Sequence, residues 1–410
     1  MHRWTGLALA GFLTIVGLTG AILAWNDELE RVFAPSMFVL GPESAAKPAL
    51  DPFALRDAAA RAVPGYAING VDFTRKADQP AIFYVEAKQG GPAPRFDQIA
   101  LDPASGRVMG RRRAGDLGGG PINVMPFIYS LHDQLALGPW GAFVLGIAAL
   151  AWTLDCFVGA YLTLPARGVS RRRSYAWATK WAPAWAVRFK GGQYRLFYDL
   201  HRAGGLWPWL LMLVVAWSSV SFNLPQVYRP VTAAIFGSEP QPPRPRIADP
   251  AQPPRLGWQD GYREAQRAMK MWAAREGFVV RSERLLFYDP ASHAYEYRVV
   301  SNRDPSNNGN TTLRLDGDSG RLVSTSLPTG RAAGTTLTSW IGDIHVGNVF
   351  GIAMKIALSL TGVAVATLSI TGVWLWWRKR KSRRFARGRR RRVHGLKEPC
   401  SPTGSERARS

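Results

Sequence analysis

Four apolar stretches, at about residues 4–25, 137–164, 206–225 and 347–377, reach the length of roughly 20 residues that a helix needs to cross the hydrocarbon layer of a bilayer. They hold no Lys or Arg other than Lys355. The first follows a small basic opening, Met1-His2-Arg3. Its apolar run from Gly6 to Trp25 is long for a signal peptide and ends without a small-residue cleavage site, so it reads as an anchoring helix.

Charge next to these stretches sets their direction, because Lys and Arg in short loops stay on the cytoplasmic side while long translocated segments escape that rule. The loop after the second stretch carries Arg167, Arg171, Arg172, Arg173, Lys180, Arg188, Lys190, Arg195 and Arg202, and the tail after Trp377 runs RKRKSRRFARGRRRR. Both are assigned to the cytoplasm, and an even number of crossings then puts the N-terminus there too. The polar segments at about 26–130 and 226–340 therefore face outward. The expected plan is a first helix at 1–25, an outer module at 26–130, a second helix at 131–165 and a basic loop at 166–200. A third helix at 201–225, a second outer module at 226–340, a fourth helix at 341–377 and a basic tail at 378–410 complete it. Because the basic residues gather at the ends of the crossings, the net charge of +23 is read as topology and attraction to anionic lipid, not as a nucleic-acid surface. Cys156 and Cys400 stand too far apart in environment to form a disulfide framework or a thiolate metal cluster.

The plan repeats once, with a period of about 200 residues. Met1-His2-Arg3-Trp4-Thr5-Gly6 opens the first crossing as Leu200-His201-Arg202-Ala203-Gly204-Gly205 opens the third. Leu131-His132-Asp133-Gln134-Leu135-Ala136-Leu137-Gly138 precedes the second as Ile344-His345-Val346-Gly347-Asn348-Val349-Phe350-Gly351 precedes the fourth. In the first module an amphipathic helix over Asp51 to Val63 is followed by strands at 69–74, 81–87 and 96–101. In the second, a helix from Trp258 to Ala274 is followed by strands near 277–288, 294–300 and 311–315. Matching turns, Asp102-Pro103-Ala104-Ser105-Gly106-Arg107 and Asp316-Gly317-Asp318-Ser319-Gly320-Arg321, end both third strands, and a Pro-rich linker from Glu239 to Pro254 leads into the second module. The predicted fold class is an internally duplicated α-helical membrane protein: a four-helix transmembrane bundle with two extracytoplasmic α+β modules.

Four of the six histidines, His2, His132, His201 and His345, lie at the start of the four crossings, while His293 and His394 lie elsewhere and are given no role. A single interfacial histidine is ordinary, but topology sorts these four into an inner pair, His2 with His201, and an outer pair, His132 with His345. The pairs are roughly 30 Å apart at most, one bilayer thickness. Two neutral imidazoles from different helices are what a six-coordinate haem needs, and without a C-x-x-C-H motif such a haem is non-covalent and b-type. Small residues Gly11, Gly17, Gly20, Gly146, Gly159, Gly351, Gly362 and Gly372 would leave room for a flat macrocycle or serve helix packing. Asp155, midway along the second crossing, is expected to face the interior, bonded to a hydroxyl such as that of Thr361 or Ser369, with proton coupling as its functional alternative. Asp133 either orients the His132 imidazole or faces water. No G-x-G-x-x-G, Walker A or nucleophile-elbow motif occurs, so any electron donor is external.

Together the L-H-R opening at 200–205 with its counterpart at 1–6, L-H-x-x-L-x-L-G at 131–138, I-H-V-G-N-x-F-G at 344–351, T-G-V-W-L-W-W-R-K-R at 371–380 and the two D-x-x-S-G-R turns resemble the PepSY-associated transmembrane family. The resemblance covers nearly the whole chain and implies PepSY-like outer modules and a bacterial inner-membrane location linked to iron uptake. Members that resemble ferric-siderophore reductases imply two haem b groups held by His2, His201, His132 and His345. They also imply a metalloreductase that passes electrons from a quinol or cytoplasmic reductase to a periplasmic ferric chelate. The alternative is a non-redox scaffold whose modules bind a peptide, protease or transporter partner.

Overall fold

The computed structural model describes residues 1–75, 78–88, 90–165, 175–237 and 253–395, the side chains of 175–176 and 384–395 excepted. Arg167, Arg171, Arg172 and Arg173 of the basic loop, residues 239–252 of the Pro-rich linker, the His394 side chain and the tail beyond 395 with Cys400 lie outside that set.

Helices α1 (His2–Leu23), α7 (Pro139–Thr163) and the apolar part, Gly351–Arg383, of α14 (Gly351–Gly395) are each long and apolar enough to cross a membrane. The apolar stretch expected to make the third crossing is not one straight helix. It is a bent pair, α9 (Gln193–Leu206) and α10 (Trp209–Asn223), meeting at 66°. Pro208 at the break has no N–H to continue the helical ladder. With its 15 residues α10 spans about 22 Å, short of a bilayer core of about 30 Å. His201 therefore sits on the other side of a bend from most of its crossing.

His132 and His345 lie just before the long apolar helices, as expected, but each lies in the last turn of a helix of its own. They belong to separate short helices, α6 (Val124–Gln134) and α13 (Ala333–His345), not to the first turns of α7 and α14. Left-handed backbone at Leu135, Ala136 and Gly138, and at Gly347, Phe350 and Gly351, reverses the chain after each histidine. The turn-back is tight: a Cβ on Gly141 would fall 1.8 Å from the Gln134 carbonyl oxygen.

The apolar helices meet in one buried cluster in which Leu13 of α1, Trp152 and Cys156 of α7, Met212 and Leu213 of α10, and Val365 and Leu368 of α14 pack together. Helices α1 and α14 approach closely because Gly17 faces Gly362; a Cβ on either would lie 2.7 or 2.3 Å from the other's carbonyl oxygen. Gly146 likewise admits Leu224.

Outside the apolar helices, α2 (Asn26–Phe33), α3 (Pro35–Phe38) and α4 (Pro42–Ala45) lead to α5 (Pro52–Ala62). Asp51 caps α5 by accepting from the amides of Phe53 at 2.9 Å and Ala54 at 3.3 Å, with Pro52 in the first turn, where its missing donor costs nothing. Six short strands follow: β1 (Tyr66–Ala67), β2 (Gly70–Asp72), β3 (Ala81–Tyr84), β4 (Glu86–Ala87), β5 (Gln98–Leu101) and β6 (Val108–Arg112). After the loop helix α8 (Tyr175–Trp181) and the juxtamembrane α11 (Pro225–Phe236), the second polar segment forms α12 (Trp258–Glu276), β7 (Val280–Asp289), β8 (Ala294–Ser301), β9 (Thr311–Asp316) and β10 (Leu322–Ser326). Each turn closes a hairpin: Asp102 and Asp316 accept from the serine hydroxyls of Ser105 and Ser319, and both turns carry the same pair of backbone bonds.

The two modules are not independent. The sheet order is β10-β9-β8-β7-β2, so a strand of the first segment completes the second sheet, while β3-β5-β6 and β1-β4 stay behind. Gly70, Val71 and Asp72 pair antiparallel with Phe287, Leu286 and Leu285. Val71, fully buried, and Phe53 lie in the core built by Trp272, Leu286, Tyr295, Tyr297 and Leu313. The Arg284 guanidinium binds Asp72 at 2.8 Å beside the pairing. A buried ion pair ties the first module to the membrane end: Arg112 of β6 donates to both carboxylate oxygens of Glu30 on α2, at 2.7 and 2.9 Å. Arg112 also donates to Gln98 Oε1 at 2.7 Å and to the Ile122 carbonyl at 2.9 Å.

Candidate functional site: two imidazole pairs

The four histidines assemble as two pairs. The ring centroids of His2 and His201 lie 6.1 Å apart, and those of His132 and His345 lie 6.2 Å apart. Along α1 the His132 ring sits at the level of Thr19 and Gly20, 17 residues from His2, or about 26 Å of helix. One pair is thus near each end of the apolar region.

Each imidazole is held by its Nδ1. His2 Nδ1 lies 2.9 Å from Asp155 Oδ2, and His201 Nδ1 lies 3.0 Å from the Leu368 carbonyl and 3.2 Å from Thr371 Oγ1. A carbonyl oxygen only accepts, so in His201 the Nδ1 carries the proton. His132 Nδ1 lies 3.0 Å from Thr19 Oγ1, and His345 Nδ1 lies 2.6 Å from Ser218 Oγ. Those hydroxyls have already committed their single proton to their own helices, Thr19 to the Ile15 carbonyl at 2.7 Å and Ser218 to the Val214 carbonyl at 2.8 Å. Their lone pairs are then turned to the imidazoles as acceptors. For neutral rings this network gives one common arrangement: Nδ1 donating to an oxygen, Nε2 with a free lone pair.

That is the form in which histidine binds a metal, oriented by a partner on its other nitrogen. Two imidazoles whose Nε2 lone pairs are free could hold one iron between them. The centroid spacing by itself is that of two packed rings, since ordinary edge-to-face pairs fall at about 4.5–7 Å. Among the described residues no three or more His, Cys, Asp and Glu converge as a metal-ion group. The donor set is two nitrogens per site, which suits an ion whose other positions a macrocycle fills.

Glycine makes room for the rings themselves. A Cβ on Gly20 would lie 3.0 Å from His132 Cε1, one on Gly372 3.1 Å from His201 Cε1, and one on Gly159 3.7 Å from His2 Cε1. Gly17, Gly146 and Gly362 serve helix contacts, Gly351 takes a left-handed turn, and a Cβ on Gly11 would meet nothing within 4 Å.

Two expectations about the carboxylates are corrected. Asp155 bonds His2 and not Thr361 or Ser369, whose hydroxyls bond the Ala357 and Val365 carbonyls of their own helix. Asp133 does not orient His132, because Thr19 already holds that Nδ1; Asp133 Oδ1 is buried without a hydrogen-bond partner. The orienting groups Thr19, Ser218 and the Leu368 carbonyl escape composition-level reading, yet their spacing is regular. Thr19 follows His2 by 17 residues as Ser218 follows His201 (218 − 201), and Asp155 follows His132 by 23 as Leu368 follows His345 (368 − 345).

No curated protein matches the chain. The family model of the PepSY-associated TM region matches residues 1–379, which include all four histidines, every apolar helix up to its basic exit and both α+β segments. The chain therefore belongs to the PepSY-associated transmembrane family and is a membrane protein that has, among the described residues, three helices and one bent pair of membrane-crossing length and character.

Proposed function

We propose that this protein is a bis-histidine, di-haem (b-type) oxidoreductase of the bacterial inner membrane, which passes single electrons outward to reduce a ferric chelate such as a ferric siderophore on the periplasmic side. The observation that carries the proposal is the common arrangement of the rings: in both pairs every Nδ1 lies within hydrogen-bond distance of an oxygen, which leaves Nε2 available to a metal. His2 and His201 would hold one haem and His132 and His345 the other. Haem supplies reversible one-electron chemistry inside a layer that free ions enter only at high cost.

The chain's own residues do the rest. Asp155, Thr19, Ser218 and the Leu368 carbonyl aim the imidazoles, and the apolar cluster around Cys156, Met212 and Val365 keeps water from the space between the pairs. The equal offsets of the orienting groups support a duplicated four-helix bundle, in which exchanging the halves carries His2 to His201, His132 to His345, Thr19 to Ser218 and Asp155 to Leu368. Basic residues on the loop and tail support a cytoplasmic side for both termini, where a quinol or a cytoplasmic reductase would deliver electrons, with the α+β modules facing the ferric chelate.

A reduced-minus-oxidised spectrum of the purified full chain tests the proposal. Two haems per chain are expected, falling in His201→Ala and in His345→Ala. A chain without a Soret band, or with haem content unaltered in both variants, overturns it and leaves a membrane scaffold whose modules bind a peptide, protease or transporter partner.

A further inference from the structure

The two pairs differ in one respect. Three of the four imidazoles give their Nδ1 proton to a neutral oxygen: the Thr19 hydroxyl, the Ser218 hydroxyl, and the Leu368 carbonyl with the Thr371 hydroxyl beside it. His2 alone gives it to a carboxylate, Asp155 Oδ2, at 2.9 Å. The exception is confined to one half of the chain. At the matching offset of 23 residues the other half has Leu368, whose side chain has no polar atom and whose backbone does the work. A carboxylate in the middle of an apolar helix is expensive, and this one is only 11 % exposed. The packing of α7 does not call for it, since Leu serves the equivalent place in α14.

A hydrogen bond to an ionised acceptor is roughly twice as strong as one to a neutral acceptor. It draws the Nδ1 proton away from the ring and makes Nε2 a stronger electron donor. A stronger donor, with a negative charge close by, stabilises the ferric over the ferrous state of any iron bound there. The hydroxyls at the outer pair do this weakly, because each is a neutral acceptor.

We propose that Asp155 is a positioning residue that sets the potential of the His2–His201 site below that of the His132–His345 site, so that the inner site is the donor and the outer site the acceptor of the pair. This rests on the di-haem reading above. A single electron moving outward oxidises the inner iron and reduces the outer one, with no bond made or broken. The quinol or cytoplasmic reductant reloads the inner site, and the ferric chelate discharges the outer one. Direction then comes from one side chain, in a plan whose two halves are otherwise alike at the ligands.

The experiment is an optical redox titration of the purified full chain with its haems, alongside haem quantitation. The native chain is expected to show two midpoint potentials, and Asp155→Asn is expected to hold two haems with the lower potential raised and the higher unmoved, while Asp155→Glu keeps the lower one low. Two haems with neither potential moved, or with only the higher moved, overturns the inference while leaving the di-haem reading intact. A native chain with no haem overturns that reading instead. If Asp155→Asn retains a single haem, Ser218→Ala decides: a shift confined to the higher potential is the expected result, and a shift of the lower potential overturns the assignment.

Discussion

The Glu30–Arg112 pair offers a quantitative test of how the first α+β segment is fastened to the apolar helices. The two side chains are 6 % and 4 % exposed, and two hydrogen bonds join them. Breaking a buried pair by removing one charge costs about 3–5 kcal/mol, because the survivor is left uncompensated. Glu30→Gln keeps the shape and loses the charge. Arg112 retains the Gln98 side-chain oxygen, the Ile122 carbonyl and the face of Phe38, 5.1 Å from its guanidinium carbon, so the lower end of that range, about 3 kcal/mol, is expected. Every 1.4 kcal/mol is tenfold in an equilibrium, so amide hydrogen exchange of β5 and β6 should quicken by roughly a hundredfold in the detergent-solubilised full chain. In the double variant Glu30→Leu with Arg112→Met, which leaves no lone charge, most of that loss should be recovered. Less than a fivefold change in Glu30→Gln, or a double variant that exchanges faster than the single one, would refute the reasoning.

Three further outcomes are expected. Gly20→Ala and Gly372→Ala improve helix propensity by about 1 kcal/mol yet press on His132 and His201, whose ring atoms would lie at 3.0 and 3.1 Å from the new Cβ. Thermal stability should hold while the haem spectrum and potential shift at one site in each variant. Val71→Ala, in the first segment, should cost about 2 kcal/mol in the sheet of the second, read as faster exchange in β7; no change there would contradict the shared sheet. The Ser319 hydroxyl and the amides of Ser319 and Asp318 hold the Asp316 carboxyl below its usual range. A depressed folded pKa gives stability that is complete above the unfolded value of about 3.9 and is lost as pH falls through the folded value, so Asp316→Asn should flatten the acid limb of the outer region's melting curve.

What the sequence made legible was what local chemistry decides. Asp51-Pro52 announces a capped helix start and the D-x-x-S-G-R turns announce hairpins, while the apolar lengths and flanking arginines announce crossings, because each signal acts within a few residues. The features it hid depend on distant partners or on backbone that no side chain advertises. Leu135, Ala136 and Phe350 adopt left-handed backbone that Gly or Asn would have signalled, and so His132 and His345 read as the starts of apolar helices rather than the ends of short ones. Pro208 stands at a break inside an apolar run whose length suggested one crossing. The strand at 70–72 has the alternation of a strand in any sheet, and only the completed fold says which sheet. At the candidate site the histidines and Asp155 stood out because charge and imidazole are rare in apolar helices. Thr19 and Ser218 did not, because a hydroxyl bonded back to its own helix is commonplace there.

The strand exchange at β2 also constrains how the protein is made. Asp72 and its partner Leu285 are separated by 213 residues of chain (285 − 72), which include α7, α9, α10 and the whole of α12. Until β7 has been made, Gly70–Asp72 has no strand of that sheet to pair with and Val71 lacks its cover, and an unpaired edge of this kind invites the wrong neighbour. A chain cut after α7 would keep that edge permanently bare. The five-stranded sheet therefore closes only after α7, α9, α10 and α12 have been made, which ties its completion to the making of the apolar helices between its strands.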